Sequence, residues 1–461
     1  MSRPRVVIVG SGSAGLFCAW ALADCAAVTV LEAGPDPGEP VPRRFLYDAL
    51  VQDHDWGYRD ADTQQALLTG RVLGGSSTIS AYGALRGEPD DYNRWGPNWT
   101  WNDCLPAFRT LESDQQFANS PYHGASGPIP ITRAAASPFD QAFTEVCQEG
   151  GYTSVADFNV PGAQGVGPWP TNMRDGARIG TLAGLMPQLR GRIELRPDTA
   201  AVRVVLNGNR AVGVEIGAGS RAEIVSADHV ILCAGAYGSP TLLARSGFVD
   251  PNLGACLGTH SHASFMVRCL KAGWAKQLPR LGALLRVGLD GDAGDIWQFY
   301  AIAAYPYRPF LNAQPDDLFL QVVMMNTRST GVMAWQDGKP VIHHRHFSEP
   351  SDLQRLCRMI DRIAPLIDRL VAKDVLEAPQ NPWWLRPDRE QALRQSDQCE
   401  FHPCGTCGIG RVVDDRLRVK GVDCLRVADA SVIPFIPQAN PNLACMMIGL
   451  RAGQMLATEW S

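Results

Sequence analysis

The first thirty residues constrain this chain more than any other stretch. "RVVIVGSGSAGLFCAWALADCAAVTVLEAG" reads as an apolar strand from Val6 to Val9, a glycine turn, an amphipathic helix from about Ala14 to Asp24, and a second strand from Val28 to Glu32. In such a βαβ unit Gly10 permits the tight turn, Gly12 lets the backbone approach a pyrophosphate, and Gly15 lets the helix pack close to the strand. The helix N-terminus then turns free N–H groups and a positive dipole end towards an anion. Glu32 closes the second strand 22 residues after Gly10, where a carboxylate accepts hydrogen bonds from a ribose diol and repels a 2′-phosphate. A bare GxGxxG also marks ordinary strand-to-helix turns. The strand, helix, second strand and terminal acid together point to dinucleotide binding, without separating FAD from NAD.

The rest of the chain must accommodate that unit. At 461 residues it exceeds the size of one hydrophobic core, so two domains, or one with a large insertion, are expected. A net charge of −5 and no long Lys/Arg run give no footing for nucleic acid or anionic lipid, and a small-molecule partner is favoured. No apolar run approaches the length of a membrane span, and the four-residue run before Gly10 is too short for a signal peptide. Thirteen cysteines, odd in number and scattered, fit a reducing, cytoplasmic setting.

Three further segments have the same character. "TGRVLGGSSTISAYGALRGEPDDYNRW" contains a Gly-Gly-Ser-Ser turn suited to close backbone approach to a bulky ligand. "ADHVILCAGAYGSPTLLARSG" is a buried strand entering a small-residue turn and then a helix. "CLRVADASVIPFIPQANPNLACMMIGLRAGQMLATEW" offers a strand, Asp429, a proline-punctuated loop and an amphipathic C-terminal helix.

"HPCGTCGIG", residues 402 to 410, invites a metal or dithiol reading. A structural zinc site wants four ligands, and none follows Cys407 at suitable spacing. A redox dithiol opens a helix, which Gly405, Gly408 and Gly410 disfavour. No metal is expected.

Taken together and in order, "GSGSAG" with Glu32, "GRVLGGSS", "GAYGSPTLLARSG" and "HPCGTCGIG … VADASVIPFIPQANPN" resemble the glucose-methanol-choline (GMC) oxidoreductase family of FAD enzymes over nearly the whole chain. "LESDQQFANSPYHGASGPIPITR" and "DFNVPGAQGVGPWPTNMRDGAR" look like a subgroup of smaller actinobacterial members that includes mycofactocin-associated dehydrogenases. The resemblance implies an α/β fold: a Rossmann-like FAD-binding domain from residues 1–115, 195–262 and 404–461, with an inserted antiparallel-sheet α+β cap from 116–194 and 263–403 over the substrate. "DLFLQVVMMNTRSTGVMAWQDGKPVIHHR" agrees, reading as strands parted at Thr330-Gly331 and Asp337-Gly338. A helix should begin after Pro350 with Ser351 as its cap.

The same resemblance implies site residues. His402 is the catalytic residue, a neutral imidazole able to take the hydroxyl proton of an alcohol as hydride leaves for the flavin. Asn440 is the second polar residue and orients the substrate oxygen. Cofactor contacts fall on Gly10, Ser11, Gly12, Ala14, Gly15, Glu32, Ala33, Arg71, Gly74, Gly75, Ser76, Ser80, Val202, Ala234, Gly235, Asp429, Ala430, Pro441 and Asn442. The carboxylate of Asp429, costly as a lone anion beside pyrophosphate, should be aimed at local N–H donors. Ile79 stands where some members carry a flavin-linking histidine, so the FAD is expected to be non-covalent. The implied function is oxidation of a primary or secondary alcohol by a dehydrogenase or natural-product tailoring oxidoreductase, with molecular oxygen or another acceptor taking the electrons. The alternative is a flavin-retaining lyase or decarboxylase on the same fold. His260 and His262 are read as surface or structural. His343, His344 and His346 are read as a solvated or cap-lining strand. Cys404, where the family has an apolar residue, is read as a small core hydrophobe. Of Trp169, Trp297, Phe299, Tyr300, Trp335, Trp383 and Trp384, most are read as core and some as cavity lining.

Overall fold

The structure is a computed structural model that describes residues 3–47, 54–217, 219, 222–278, 281–291, 294–304, 313–379, 382, 384, 386–395 and 400–460. The expected βαβ unit is present as a strand Arg5–Val9, a helix Ser13–Leu22 and a parallel strand Ala27–Leu31. His229–Leu232 and Leu425–Val427 extend this parallel sheet on one side and Glu194–Arg196 on the other. Five strands from four distant regions thus make one Rossmann-type sheet, whose central strands Arg5–Val9, Ala27–Leu31 and His229–Leu232 are largely buried and apolar, whereas the edge strand Glu194–Arg196 is more exposed.

The Ser13–Leu22 helix departs from the amphipathic expectation. Ala14 to Ala19 are all buried, because the helix packs against both the sheet and the C-terminal helix Asn442–Thr458. Contact there is close enough that a Cβ on Gly449 would lie 2.0 Å from the Ala14 carbonyl oxygen. The C-terminal helix is itself buried from Met446 to Leu450, for the same reason.

A second hydrophobic core lies under an antiparallel sheet formed by Ser261–Arg268, Asp317–Met324, Ile296–Ala303, Ala283–Gly288 and Gly165–Pro168, in that spatial order. The helix Pro350–Ala372 lays Leu353, Leu356, Ile360, Ile363, Leu366 and Ile367 on that core. Its cap is Glu349, whose carboxylate accepts from the Ser351 amide; Pro350 takes the first helical position and Ser351 lies inside the helix. Asp337-Gly338 does turn a hairpin, Val332–Gln336 to Lys339–His343, with positive φ at both residues as the tight turn requires. Thr330-Gly331, by contrast, joins two sheets. A buried ionic cluster joins segments distant in sequence. Arg86 pairs with Glu112, His123 lies within 3.0 Å of Glu112, Asp114 and Asp157, and Arg133 bridges Asp114 and Asp157. Burial pulls His123 down, but hydrogen bonds to the three acids outweigh it and raise the ring to about 10. Among the described residues no helix is long and apolar enough to cross a membrane.

Candidate active site

A cavity of about 490 Å³ runs along the C-terminal ends of the parallel strands. One group of lining residues is Gly10, Gly12, Ala14, Glu32 and Ala33, a second is Gly75, Ser76, Ser80, Ala234, Gly235, Asp429 and Ala430, and a third is His402, Asn440, Pro441 and Asn442. The remaining expected contacts do not line it. Ser11 and Gly74 act on the frame: the Ser11 hydroxyl donates to Glu32 at 2.5 Å and accepts from the Gly74 amide at 3.2 Å. Gly15 sits under Gly10, and the Arg71 guanidinium covers the Trp56 ring. In place of Val202 the wall is carried by Thr199, Ala200 and Ala201.

The residues present fit an FAD. A Cβ on Gly12 would meet no protein atom within 4 Å, so the space it would take belongs to the cavity. On Gly10 it would lie 2.4 Å from the Cys233 carbonyl oxygen, and on Gly15 1.9 Å from that of Gly10. Two of the three glycines therefore serve the fold and one keeps a cradle open. Glu32 is held by the Ser11 and Gly34 amides at 3.0 and 2.8 Å, and burial raises its carboxyl above the usual range; its remaining lone pairs face the cavity. The Asp429 carboxylate accepts from the Gly235 amide (2.9 Å), the Ser239 hydroxyl (2.5 Å) and the Ser431 amide (2.8 Å), which leaves backbone groups of this loop to meet a ligand.

At the other end of the cavity two chain segments run antiparallel. Gly258 and Cys404 exchange both backbone hydrogen bonds, at 3.0 and 2.9 Å. Counting outward from that pair, His260 falls opposite His402 and His262 opposite Glu400, all on one side because side chains alternate along extended chain. The contacts follow that register: His260 Nδ1 lies 2.9 Å from His402 Nδ1, and His262 Nδ1 lies 3.0 Å from Glu400 Oε1. Cys404 is buried in the first core, as expected, and a Cβ on Gly258 would crowd its Sγ at 3.2 Å. From the loop before the C-terminal helix, Asn440 brings Nδ2 to 3.3 Å from His402 Nε2. Burial lowers His402 to about 4 against the opposing charge of Glu400, so the imidazole is neutral at pH 7. Burial pushes Glu400 up, but His262 beside it more than reverses this and the carboxyl is held at about 2.

Several expectations need correction. His260 and His262 are buried, which removes the surface half of their reading and leaves the structural one; these two and Glu400 are neighbours of His402 that sequence reasoning did not assign to the candidate site. The signal was available: His-x-His and Glu-x-His are both period-two patterns, which place each pair on one face of extended chain. His343 ends its strand and pairs with Asp62, whereas His344 is buried and His346 half-buried, their rings stacked 5.5 Å apart, bonded to the Tyr237 and Ser261 hydroxyls. Trp297, Phe299 and Trp384 belong to the second core, and Trp335 packs beside Thr241. Trp169 and Tyr300 line the cavity edge to face, 4.6 Å apart, with Leu281, Ile302 and Phe319. Trp383 lies outside the described residues.

A parallel nucleotide sheet, an antiparallel cap sheet and one cavity joining a glycine cradle to a half-buried imidazole define a flavin-type oxidoreductase. Residues 5–262 and 327–449 match the family models described as GMC oxidoreductase, and the chain belongs to that FAD-dependent family. It is 28% identical over 522 residues to an oxygen-dependent choline dehydrogenase of Brucella ovis, covering 97% of this chain and 94% of the relative. It is 29% identical over 503 residues to a GMC-type oxidoreductase of Rhodococcus erythropolis, covering 98% and 97%. Its fold is similar to that of pyridoxine 4-oxidase from Mesorbium loti, with a TM-score of 0.86, 25% identity and 98% and 99% of the two chains covered. It is also similar in fold to the formate oxidase of Aspergillus oryzae, with a TM-score of 0.87, 23% identity and 99% and 98% covered.

Proposed function

We propose that this enzyme oxidises a primary or secondary alcohol to the corresponding carbonyl compound, with His402 as the base and Asn440 as the group that orients the substrate oxygen. The observation that carries the reading is the convergence of His402 and Asn440 in the same cavity as the Gly12 cradle. FAD, when bound, supplies the acceptor for the hydride that leaves the carbinol carbon. The neutral imidazole takes the hydroxyl proton, so that negative charge developing on oxygen assists the departure of hydride. Asn440 Oδ1 and Trp169 Nε1 are buried without hydrogen-bond partners and lie beside Gly83, ready for polar atoms of a substrate. Trp169, Leu281, Tyr300, Ile302 and Phe319 would surround an apolar or aromatic body. Ile79, which lines the cavity, has no nucleophile to offer, so the FAD is held non-covalently. Residues 1–115, 195–262 and 404–461 would hold the cofactor and 116–194 and 263–403 would cap the substrate, apart from the 181–189 helix, whose Leu182, Leu185, Met186 and Leu189 join the first core. The electrons pass on to molecular oxygen or another acceptor.

The test is anaerobic addition of alcohols to the purified yellow protein. The names of the relatives make choline and pyridoxine the first probes, followed by arylmethanols and longer aliphatic alcohols. Bleaching of the flavin band, with recovery on admitting oxygen or a dye, is the expected result. Turnover with an unchanged spectrum would replace it with non-redox chemistry.

A further inference from the structure

We propose that His260 is a positioning residue that holds His402 in the tautomer whose Nε2 is unprotonated, so that the ring atom beside Asn440 is the one able to accept a proton. The proposal rests on the reading of His402 as the base.

The argument starts at Pro437, in the loop before the C-terminal helix. Its carbonyl oxygen lies 3.1 Å from His260 Nε2. A carbonyl can only accept, so this Nε2 carries a hydrogen. The backbone at Met325 also favours a proton on the ring. His260 is fully buried, and burial followed by the neighbouring His402 lowers it to about 3, so it holds one proton only. Its Nδ1 is therefore a bare acceptor. That atom faces His402 Nδ1 at 2.9 Å, with the two rings edge to face, centroids 5.1 Å apart and planes at 83°. Two bare nitrogens would repel at this distance, so the hydrogen between them is on His402 Nδ1. A neutral His402 then has none left for Nε2, and Nε2 is the atom 3.3 Å from the Asn440 amide nitrogen.

The reverse order fails at its far end, because it sets a bare His260 Nε2 against the Pro437 oxygen and leaves both without a buried hydrogen bond. During the reaction His260 gains and loses nothing. The substrate proton goes to His402 Nε2, and the Nδ1–H bond to His260 stays in place as the ring becomes cationic. Among the described residues the titratable groups facing His402 are Glu400, two residues earlier in its own segment, and the imidazoles of His260 and His262 across from it. The acid Glu400 is engaged by His262, so orientation of the base falls to a neutral partner.

The direct measurement is ¹⁵N NMR of imidazole nitrogens in histidine-labelled holoenzyme, with the His402 signals identified by their loss in His402→Ala. A pyrrole-type Nδ1 and a pyridine-type Nε2 are expected; a protonated Nε2 overturns the proposal. The kinetic arm compares His260→Leu with His260→Asn, whose amide oxygen replaces the Nδ1 acceptor. Flavin reduction at saturating alcohol should fall about 10- to 100-fold in His260→Leu with KM little changed, and recover in large part in His260→Asn. Wild-type reduction in His260→Leu, alongside a slow His402→Ala, would refute the role of His260 and leave the base intact. An undiminished His402→Ala would instead remove the base itself.

Discussion

Gly12→Ala separates a glycine kept for a ligand from one kept for the fold. Gly12 has φ −67° and ψ −167°, backbone that any residue adopts, and its added methyl meets no protein atom within 4 Å. The apoprotein should therefore tolerate alanine and even gain about 0.4–1 kcal/mol, because the unfolded chain loses freedom. The methyl would, however, enter the cavity where Gly12 would let a pyrophosphate approach the backbone. An overpacked contact costs about 1–3 kcal/mol, which is roughly a 5- to 150-fold rise in the Kd for FAD. Gly10→Ala and Gly15→Ala serve as contrasts. Gly10 has φ +100°, and both added methyls would strike backbone oxygens at 2.4 and 1.9 Å, so these variants should lose stability before cofactor is added. The assay is thermal unfolding of each apoprotein, then FAD titration followed by quenching of flavin fluorescence. Wild-type FAD affinity in Gly12→Ala would show that nothing approaches this backbone. A less stable Gly12→Ala apoprotein would show that the glycine serves the fold after all.

His402→Ala should keep its yellow flavin while flavin reduction slows roughly 10²- to 10⁴-fold, as stopped-flow would read. Because the base works unprotonated and burial holds it at about 4, reduction should be level from neutral pH down to about 5 and fall below that. Glu400→Gln removes a charge that favours the protonated ring, so the fall should move to lower pH; a move upward would contradict the assignment of Glu400. Trp169→Phe deletes an unpartnered buried donor in the cavity and should raise KM roughly 3- to 10-fold for alcohols bearing a second acceptor, with kcat steady. Arg133→Met leaves Asp114 and Asp157 short of a cationic partner and should cost about 3–5 kcal/mol, seen in urea as a lower midpoint at constant slope.

The nucleotide half of this molecule was legible because its signals are local. Gly10, Gly12, Gly15 and Glu32 act within one βαβ unit, and their spacing alone fixes their relation in space. The proposed catalytic end depends on a pairing between residues 258–262 and 400–404, more than a hundred positions apart; period-two patterns show which side chains share a face in each segment, but not that the two segments pair. His402 could be found from its motif, but His260 reads as an ordinary polar residue until the Gly258–Cys404 pair fixes the register. The Ser13–Leu22 helix was misread in the opposite direction. Nothing in its own residues shows that the C-terminal helix, more than four hundred residues on, packs against Ala14, Cys18 and Ala21. The Ser351 cap failed for a smaller reason: with Pro350 already in the first helical position, the cap must be the residue before it.

The glycine cradle and the imidazole open into one uninterrupted hollow. An alcohol entering the empty protein would find a chamber missing one of its sides, since the space beside His402 extends directly towards Gly12. On the proposed reading, a cofactor held along Gly12 would complete the substrate compartment. Alcohol affinity and FAD affinity should be linked, each ligand tightening the other by the same factor, and a variant that loosens the nucleotide should weaken substrate capture without any change near the base.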